Sequence, residues 1–297
     1  VSTSFFELGR RNTDRVARWI FTATASLTIV IVLAIFLFLM KESMIFVREM
    51  GLAPLFTTRW VPTSVGDPGY GVLPLVTGSL LVTLLAGVFA VPLGIAGAVY
   101  IAEVARPLER EMLKPFIELL AGIPSVVLGF FGLVVVAPAV KAAFDLGSGM
   151  NALSGAVVLA LMAIPTIISV SEDALRAVPN SYRNASLALG ASHQQTVWRV
   201  IVPAAIPGIT AAVMLGFGRI VGETMAVMMV TGNAAKMTLY PTDSVRTMTA
   251  TIAAEMGEVA RGGTHYSALF CVGVILFFAT FLLNLLALKT FKRYGGR

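Results

Sequence analysis

The sequence predicts an all-α membrane protein: six transmembrane helices, with a polar helix–Gly–helix elbow projecting from one side. Three observations carry this. The 297-residue chain is 57% hydrophobic and only 13% charged, whereas a soluble domain carries roughly 25% charge. Its apolar stretches are too long for soluble core helices. One polar passage, residues 181–203, sits between two apolar blocks and carries the capping residues of two short helices. The formal charge of +6 does not point to nucleic acid, because the basic residues sit near span ends and no aromatic-interleaved basic patch occurs. The single cysteine, Cys271, lies in an apolar block. It excludes a disulfide framework and a cysteine zinc site and reads as a small buried hydrophobe.

In chain order, residues 1–18 are polar and basic, and Trp19 to Met40 carries no charge and forms the first span. That block is too long for the apolar core of a signal peptide. Residues 41–76 mix charges with Gly and Pro, which mark turns, and Phe56, Trp60 and Tyr70 suit a membrane interface. The second span is expected over about Thr77 to Ala102, kinked at Pro92-Leu-Gly94. Glu103 to Glu118 is a charged helix or loop. The third span is expected over Leu119 to Val140 with Pro124 in its first turns, and the fourth between Asp145 and Glu172, interrupted by Pro165. The fifth is expected from Pro203 to Thr231, followed by a polar segment to His265, and the sixth from Tyr266 to Leu288.

The elbow is read from its caps. Ser181 is expected to cap the first helix, with Asn184 in the capping-box position. Gly190 closes that helix, where a left-handed residue is cheapest for glycine. Ser192 opens the second helix with Gln195 as a matched capping box, and Pro203 marks entry to the next apolar block.

Six spans place both termini on one side. The termini and the loops after spans two and four hold fourteen basic residues, the opposite loops seven. The termini and the elbow are therefore expected to be cytoplasmic. The two histidines, His193 and His265, fall on opposite sides and cannot share a metal. No Gly-x-x-x-x-Gly-Lys-Ser/Thr loop and no His-Glu-x-x-His is present, so no cofactor or metal is expected and the chain does not read as an enzyme.

Two charges lie deep in the fifth block, Arg219 and Glu223. Four residues apart on a helix, they would share one face. An arginine at bilayer depth costs about 2.5–3.5 kcal/mol unless it faces protein or water. Either the two neutralise one another and fix packing, or Arg219 meets an anion and Glu223 tunes it. Gly218 and Gly222 allow close helix approach on an adjacent face.

The elbow resembles the Glu-Ala-Ala coupling loop of ABC-importer permeases. Ala185, Gly190 and Pro203 fit, while Asn184 stands for the Glu and Ser186 for the second Ala. A second set looks like the PstC-type permease of phosphate ABC importers, in order over about 70–290. It comprises Gly71-Val-Leu-Pro-Leu-Val-Thr-Gly-Ser-Leu80, Ala90-Val-Pro-Leu-Gly94, Gly122-Ile-Pro-Ser-Val-Val-Leu-Gly-Phe-Phe-Gly132, Asn151-Ala-Leu-Ser154, Ile164-Pro-Thr-Ile167, Glu172-Asp-Ala-Leu-Arg176 and Gly218-Arg-x-x-Gly-Glu-Thr-Met-Ala-Val227. The resemblance implies a permease core of the MetI-like kind over 71–297, preceded by an N-terminal tail, span and outer loop over 1–70. It implies a multi-pass subunit of a bacterial inner membrane working by alternating access. Its partners would be a second, PstA-type permease, two ATP-binding subunits, an extracytoplasmic phosphate-binding protein and the lipid bilayer, with no nucleic acid. Arg219, Glu223, Thr224, Ser125 and Thr166 would line the substrate pathway, and Asn184, Ala185, Ser186, Gly190 and Pro203 would couple to the ATPase. Permeases for sulfate or molybdate, an ion-coupled secondary transporter and a membrane-embedded enzyme are the alternatives. The last two lack, respectively, a clear internal repeat and a converging nucleophile–base or metal set.

Overall fold

Among the described residues, six helices are long and apolar enough to cross a bilayer: Ala17–Met50, Leu73–Val104, Ser125–Ala143, Ala152–Arg176, His193–Gly222 and Thr264–Leu285. The computed structural model describes residues 3–64 and 66–295, with side chains for 17–64, 66–285 and 289. Six of the basic residues that set the expected sidedness, Arg10, Arg11, Arg15, Lys292, Arg293 and Arg297, lie outside the described side chains.

The first span belongs to α1 (Thr3–Met50). It runs past the expected end at Met40, and Trp19, Phe21, Ile29 and Leu37 are exposed, as suits lipid contact. A two-stranded hairpin, β1 (Trp60–Val61) and β2 (Gly69–Tyr70), follows. The second span is α2 (Leu73–Val104); its last turn, Tyr100–Val104, is a π-helix. Next come α3 (Pro107–Gly122), α4 (Ser125–Ala143) and α5 (Ala152–Arg176). Asn151 caps α5 by accepting from the Ser154 N–H at 2.9 Å.

The elbow is α6 (Asn180–Ala188) followed by α7 (His193–Gly222). A short α8 (Met225–Val230), α9 (Met248–Glu255) and α10 (Thr264–Gly295) complete the described helices.

Small residues let α2, α5 and α7 approach closely, the usual device where lipid removes the hydrophobic drive between helices. An added Cβ on Gly94 would lie 2.6 Å from Ile167 Cγ2, and one on Gly87 would lie 2.5 Å from the Phe217 ring. The core around them includes Ala86, Ala90, Ala156, Ala160 and Ala163. A second cluster, at the end of the bundle away from the elbow, joins Phe46, Trp60, Tyr70 and Leu269, and a third, under the elbow, joins Ala98, Leu175, Val197 and Ile201. Cys271 is buried as expected.

Three further boundaries differ from the sequence reading. Pro203 does not open a helix, because α7 already begins at His193. A π-turn, Val197–Ile201, closes with the Val202 N–H donating to the Val197 carbonyl, and this wider turn accommodates the proline ring inside a continuous helix. Pro124 does not lie within the third span but precedes it. Leu119 to Gly122 belong to α3, and Ile123 and Pro124 are extended. The fifth span does not reach Thr231, since it stops at Gly222. The polar segment after it contains α9.

Candidate functional site

The elbow takes its shape from two capping devices. At the end of α6, Gly190 has φ +83°. Its N–H donates to the Leu187 carbonyl at 2.9 Å, and the Ala191 N–H donates to the Ser186 carbonyl at 3.3 Å. These are the two bonds of a Schellman ending, which needs a left-handed residue at this position. Ser192 and Gln195 form the expected capping box. Ser181 does not cap α6, because the helix begins one residue earlier, after Pro179, which preorganises its start without a side-chain bond.

The elbow is bolted to the last turn of α2. The Arg183 guanidinium forms a two-pronged ion pair with Glu103, with Nη2 donating to Oε1 at 2.8 Å and Nη1 to Oε2. The Glu103 side chain is only 1% exposed. The hydrogen bond to Glu103 raises the Arg183 pKa above its ordinary value, against the opposing effect of burial. His193 Nε2 lies 3.1 Å from the Glu103 carbonyl, and Ser186 Oγ shares a hydrogen bond with the buried Thr196 hydroxyl at 2.9 Å. Asn184 and Ala185 are exposed, as are Tyr182, Leu187, Leu189 and Trp198. The elbow thus offers an outward face with apolar side chains. In the sequence Glu103 is one charge of a charged stretch; its partners lie 80 and 90 residues away, beyond any local pattern.

Arg219 lies level with the middle of the bundle. One turn before it, an added Cβ on Gly216 would lie 2.7 Å from Ile167 Cγ1 and 4.0 Å from Ala163 Cβ, near the centre of α5. Arg219 is half-buried. Its Nη2 donates to the Ala121 carbonyl at 3.3 Å, at the C-terminal end of α3.

Arg219 and Glu223 do not share a helix face and form no ion pair among the described residues. Glu223 is the residue on which α7 ends, with φ −71° and ψ 135°. The Thr249 hydroxyl on α9 donates to the Glu223 carbonyl at 2.8 Å, compensating a bond lost at the break. The Glu223 Oε1 accepts from the Ala226 N–H at 3.4 Å, at the start of α8. The Thr224 hydroxyl donates back to the Gly222 carbonyl at 3.3 Å.

Two helix breaks meet at this level: Ile123-Pro124 between α3 and α4, and Glu223-Thr224 between α7 and α8. Beyond them α4 and α8 touch closely, since an added Cβ on Gly129 would lie 2.8 Å from the Ala226 Cα. Ser125 opens α4 and Thr166 lies on α5, and both are half-buried. A Cβ added at Gly218 or Gly222 would meet nothing within 4 Å, so among the described residues these small faces are not used for packing. The two histidines are far apart: His193 is in the elbow, whereas His265 bonds Glu255 at 2.8 Å beside Trp60 and Arg246 at the other end of the bundle.

Sequence comparisons place this geometry among known proteins. The profile described as "Binding-protein-dependent transport system inner membrane component" matches residues 90–292. A Bacillus subtilis protein described as a probable ABC transporter permease, YqgH, is 42% identical over 280 residues, covering 93% of this chain and 90% of that one. The phosphate transport system permease PstC of Mesorhizobium japonicum is 32% identical over 305 residues, covering 96% and 92%. Among solved structures, a bacterial alginate ABC transporter bound to its periplasmic protein matches with TM-score 0.64 at 17% identity, covering 93% and 94%. The inward-facing MetNI methionine transporter matches with TM-score 0.56 at 20% identity, covering 75% and 94%.

Proposed function

The chain belongs to the inner-membrane component family of binding-protein-dependent transport systems, and on that premise we propose that it imports inorganic phosphate. The chain is a multi-pass ABC-importer permease subunit with a MetI-like fold, and not itself an enzyme.

The observation that carries the phosphate reading is Arg219. It is a half-buried cation at mid-bundle whose guanidinium bonds a neutral carbonyl rather than a carboxylate. A planar fork of donors suits two oxygens of a tetrahedral oxyanion, and likeness to PstC of Mesorhizobium japonicum supports phosphate as that oxyanion. The Ser125, Thr166 and Thr224 hydroxyls are secondary donors on the same path. Glu223, which forms no ion pair with Arg219 among the described residues, accepts from the Ala226 N–H and so helps set the start of α8.

The core, 71–297, works with a second permease, two ATP-binding subunits and an extracytoplasmic binding protein. The termini and the elbow face the cytoplasm, as the basic-residue balance argues. The elbow's exposed face around Asn184, Ala185 and Leu187 then meets the ATPase. A neutral Asn184 leaves docking there to packing and neutral hydrogen bonds rather than an ion pair.

The test is uptake by Arg219→Met and Arg219→Lys in reconstituted vesicles, with assembly checked by co-purification. Arg219→Met is expected to assemble and not transport. Arg219→Lys keeps the charge but loses the fork and is expected to transport poorly. Normal uptake by Arg219→Met refutes the pathway role.

A further inference from the structure

We propose that α3 is a connecting rod that carries motion of the coupling elbow to Arg219. The inference rests on Arg219 being the substrate-pathway cation, and it assigns positioning roles to Arg110, Lys114 and Glu103.

The polar contacts form a continuous series. Arg183 and His193 of the elbow hold the side chain and carbonyl of Glu103. The same π-turn presents its Ile101 and Ala102 carbonyls to Arg110 on α3, with Nε donating to Ile101 at 2.9 Å and Nη2 donating to Ala102 at 2.6 Å. One turn further along α3, Lys114 Nζ lies 3.0 Å from the Glu172 carboxylate, which is 2% exposed, at the elbow end of α5. That helix runs directly into α6. The near half of α3 is therefore pinned twice to the body that supports the elbow. Its far end presents the Ala121 carbonyl to Arg219.

The rod is free to move as a unit. None of the α3 residues is buried, so displacing it uncovers little packed core. It is bounded by extended residues at both ends: Ala105 at φ −62°, ψ 137° and Ile123 at φ −65°, ψ 129°. Beyond the second joint, α4 is fixed by the close contact of Gly129 with Ala226. Motion entering at the elbow therefore bends the chain at Ile123-Pro124 and shifts the acceptor that holds the Arg219 fork. A guanidinium that loses this acceptor changes the direction in which it offers its donors, and so changes its hold on an anion. Elements with few buried contacts are the ones that move at low cost.

Two readouts test the rod. The first is the Arg110→Met/Lys114→Met double variant in the assembled importer, measuring phosphate moved per ATP hydrolysed with loaded binding protein. It removes both polar pins at the rod's near end without touching Arg219 or the Glu103–Arg183 pair. The expected result is retained binding-protein-stimulated hydrolysis with about tenfold fewer phosphate ions moved per ATP, within the range that coupling between sites spans. Either single variant, which keeps one pin, should lose less. A normal ratio in the double variant, alongside lost transport in Arg219→Met, overturns the rod and leaves the pathway role of Arg219 standing.

The second readout does not depend on a destabilising variant. Spin labels at Tyr182, Met112 and Val126, all exposed, report α6, α3 and α4 in the nucleotide-free and vanadate-trapped importer. The expected result is a constant Tyr182–Met112 separation and a changed Met112–Val126 separation. A changed Tyr182–Met112 separation, or an unchanged Met112–Val126 separation, overturns the proposal.

Discussion

Replacing Gly190 isolates a purely backbone effect at the elbow. The residue sits at φ +83°, and a Cβ added there would meet nothing within 4 Å. A substitution therefore causes no clash, and its cost is conformational. Holding an ordinary L-residue left-handed costs about 1–2 kcal/mol. The alternative is to release the two Schellman bonds from Gly190 and Ala191, each worth about 1 kcal/mol net. Both routes give a similar penalty, equivalent to about a 5–30-fold loss of the docked elbow geometry. Asparagine tolerates this region better than alanine, and β-branched valine is the worst. The assay is ATPase stimulation by loaded binding protein, with uptake, in reconstituted vesicles. Gly190→Asn should stay near wild type, Gly190→Ala should fall, and Gly190→Val should fall furthest. Unchanged coupling in Gly190→Val, or Gly190→Asn as damaged as Gly190→Val, refutes the argument.

Glu103→Ala removes the buried partner of Arg183. Breaking such a pair costs about 3–5 kcal/mol, and the low end is expected because Arg183 is 27% exposed and can reach water. Thermal unfolding and co-purification of the ATPase should both worsen, and adding Arg183→Ala should restore part of the loss. Sidedness is checked with Leu189→Cys and Leu239→Cys in a Cys271→Ser background, sites that are 89% and 80% exposed. An impermeant thiol reagent on intact cells should label position 239 and spare 189, and the opposite pattern inverts the topology. The Asp243 carboxyl is held below its usual range, first by the Thr238 hydrogen bond and then by Lys236. A lowered folded value means its contribution is present above the unfolded value and lost only as pH falls through the folded one. Protease access to the loop at 236–243 should stay constant from neutral pH to about 5 and rise only below about 4.

Much of the fold was legible because bilayer spans are written in composition. The uncharged block from Trp19, the Ser192–Gln195 capping box and Gly190 each obey rules local to a few residues, and each is where it was expected. The misplacements share a cause: two-residue breaks do not register in hydropathy. Gly222-Glu-Thr224 reads as a charged stretch of one span, whereas Thr249, distant in sequence, compensates the broken carbonyl and makes the break tolerable. Pro203 reads as a helix start, but the π-turn before it lets the helix run through. At the site, Arg219 stood out as a charge at depth, while its actual neighbour, a backbone carbonyl of Ala121, has no side-chain signature. The Glu103 and Glu172 anchors were hidden for a related reason. Their long-range partners, Arg183 and Lys114, are ordinary basic residues on other helices, and only the packing of α2, α3, α5 and the elbow brings them together.

The account stands most directly on which anion moves. The measurement is ATP-driven phosphate uptake by the reconstituted importer and its binding protein, with sulfate or molybdate present in large excess. The account predicts uptake that requires ATP, persists under either competitor and disappears in Arg219→Met. Uptake abolished by sulfate or molybdate, or transport of those anions in place of phosphate, contradicts it.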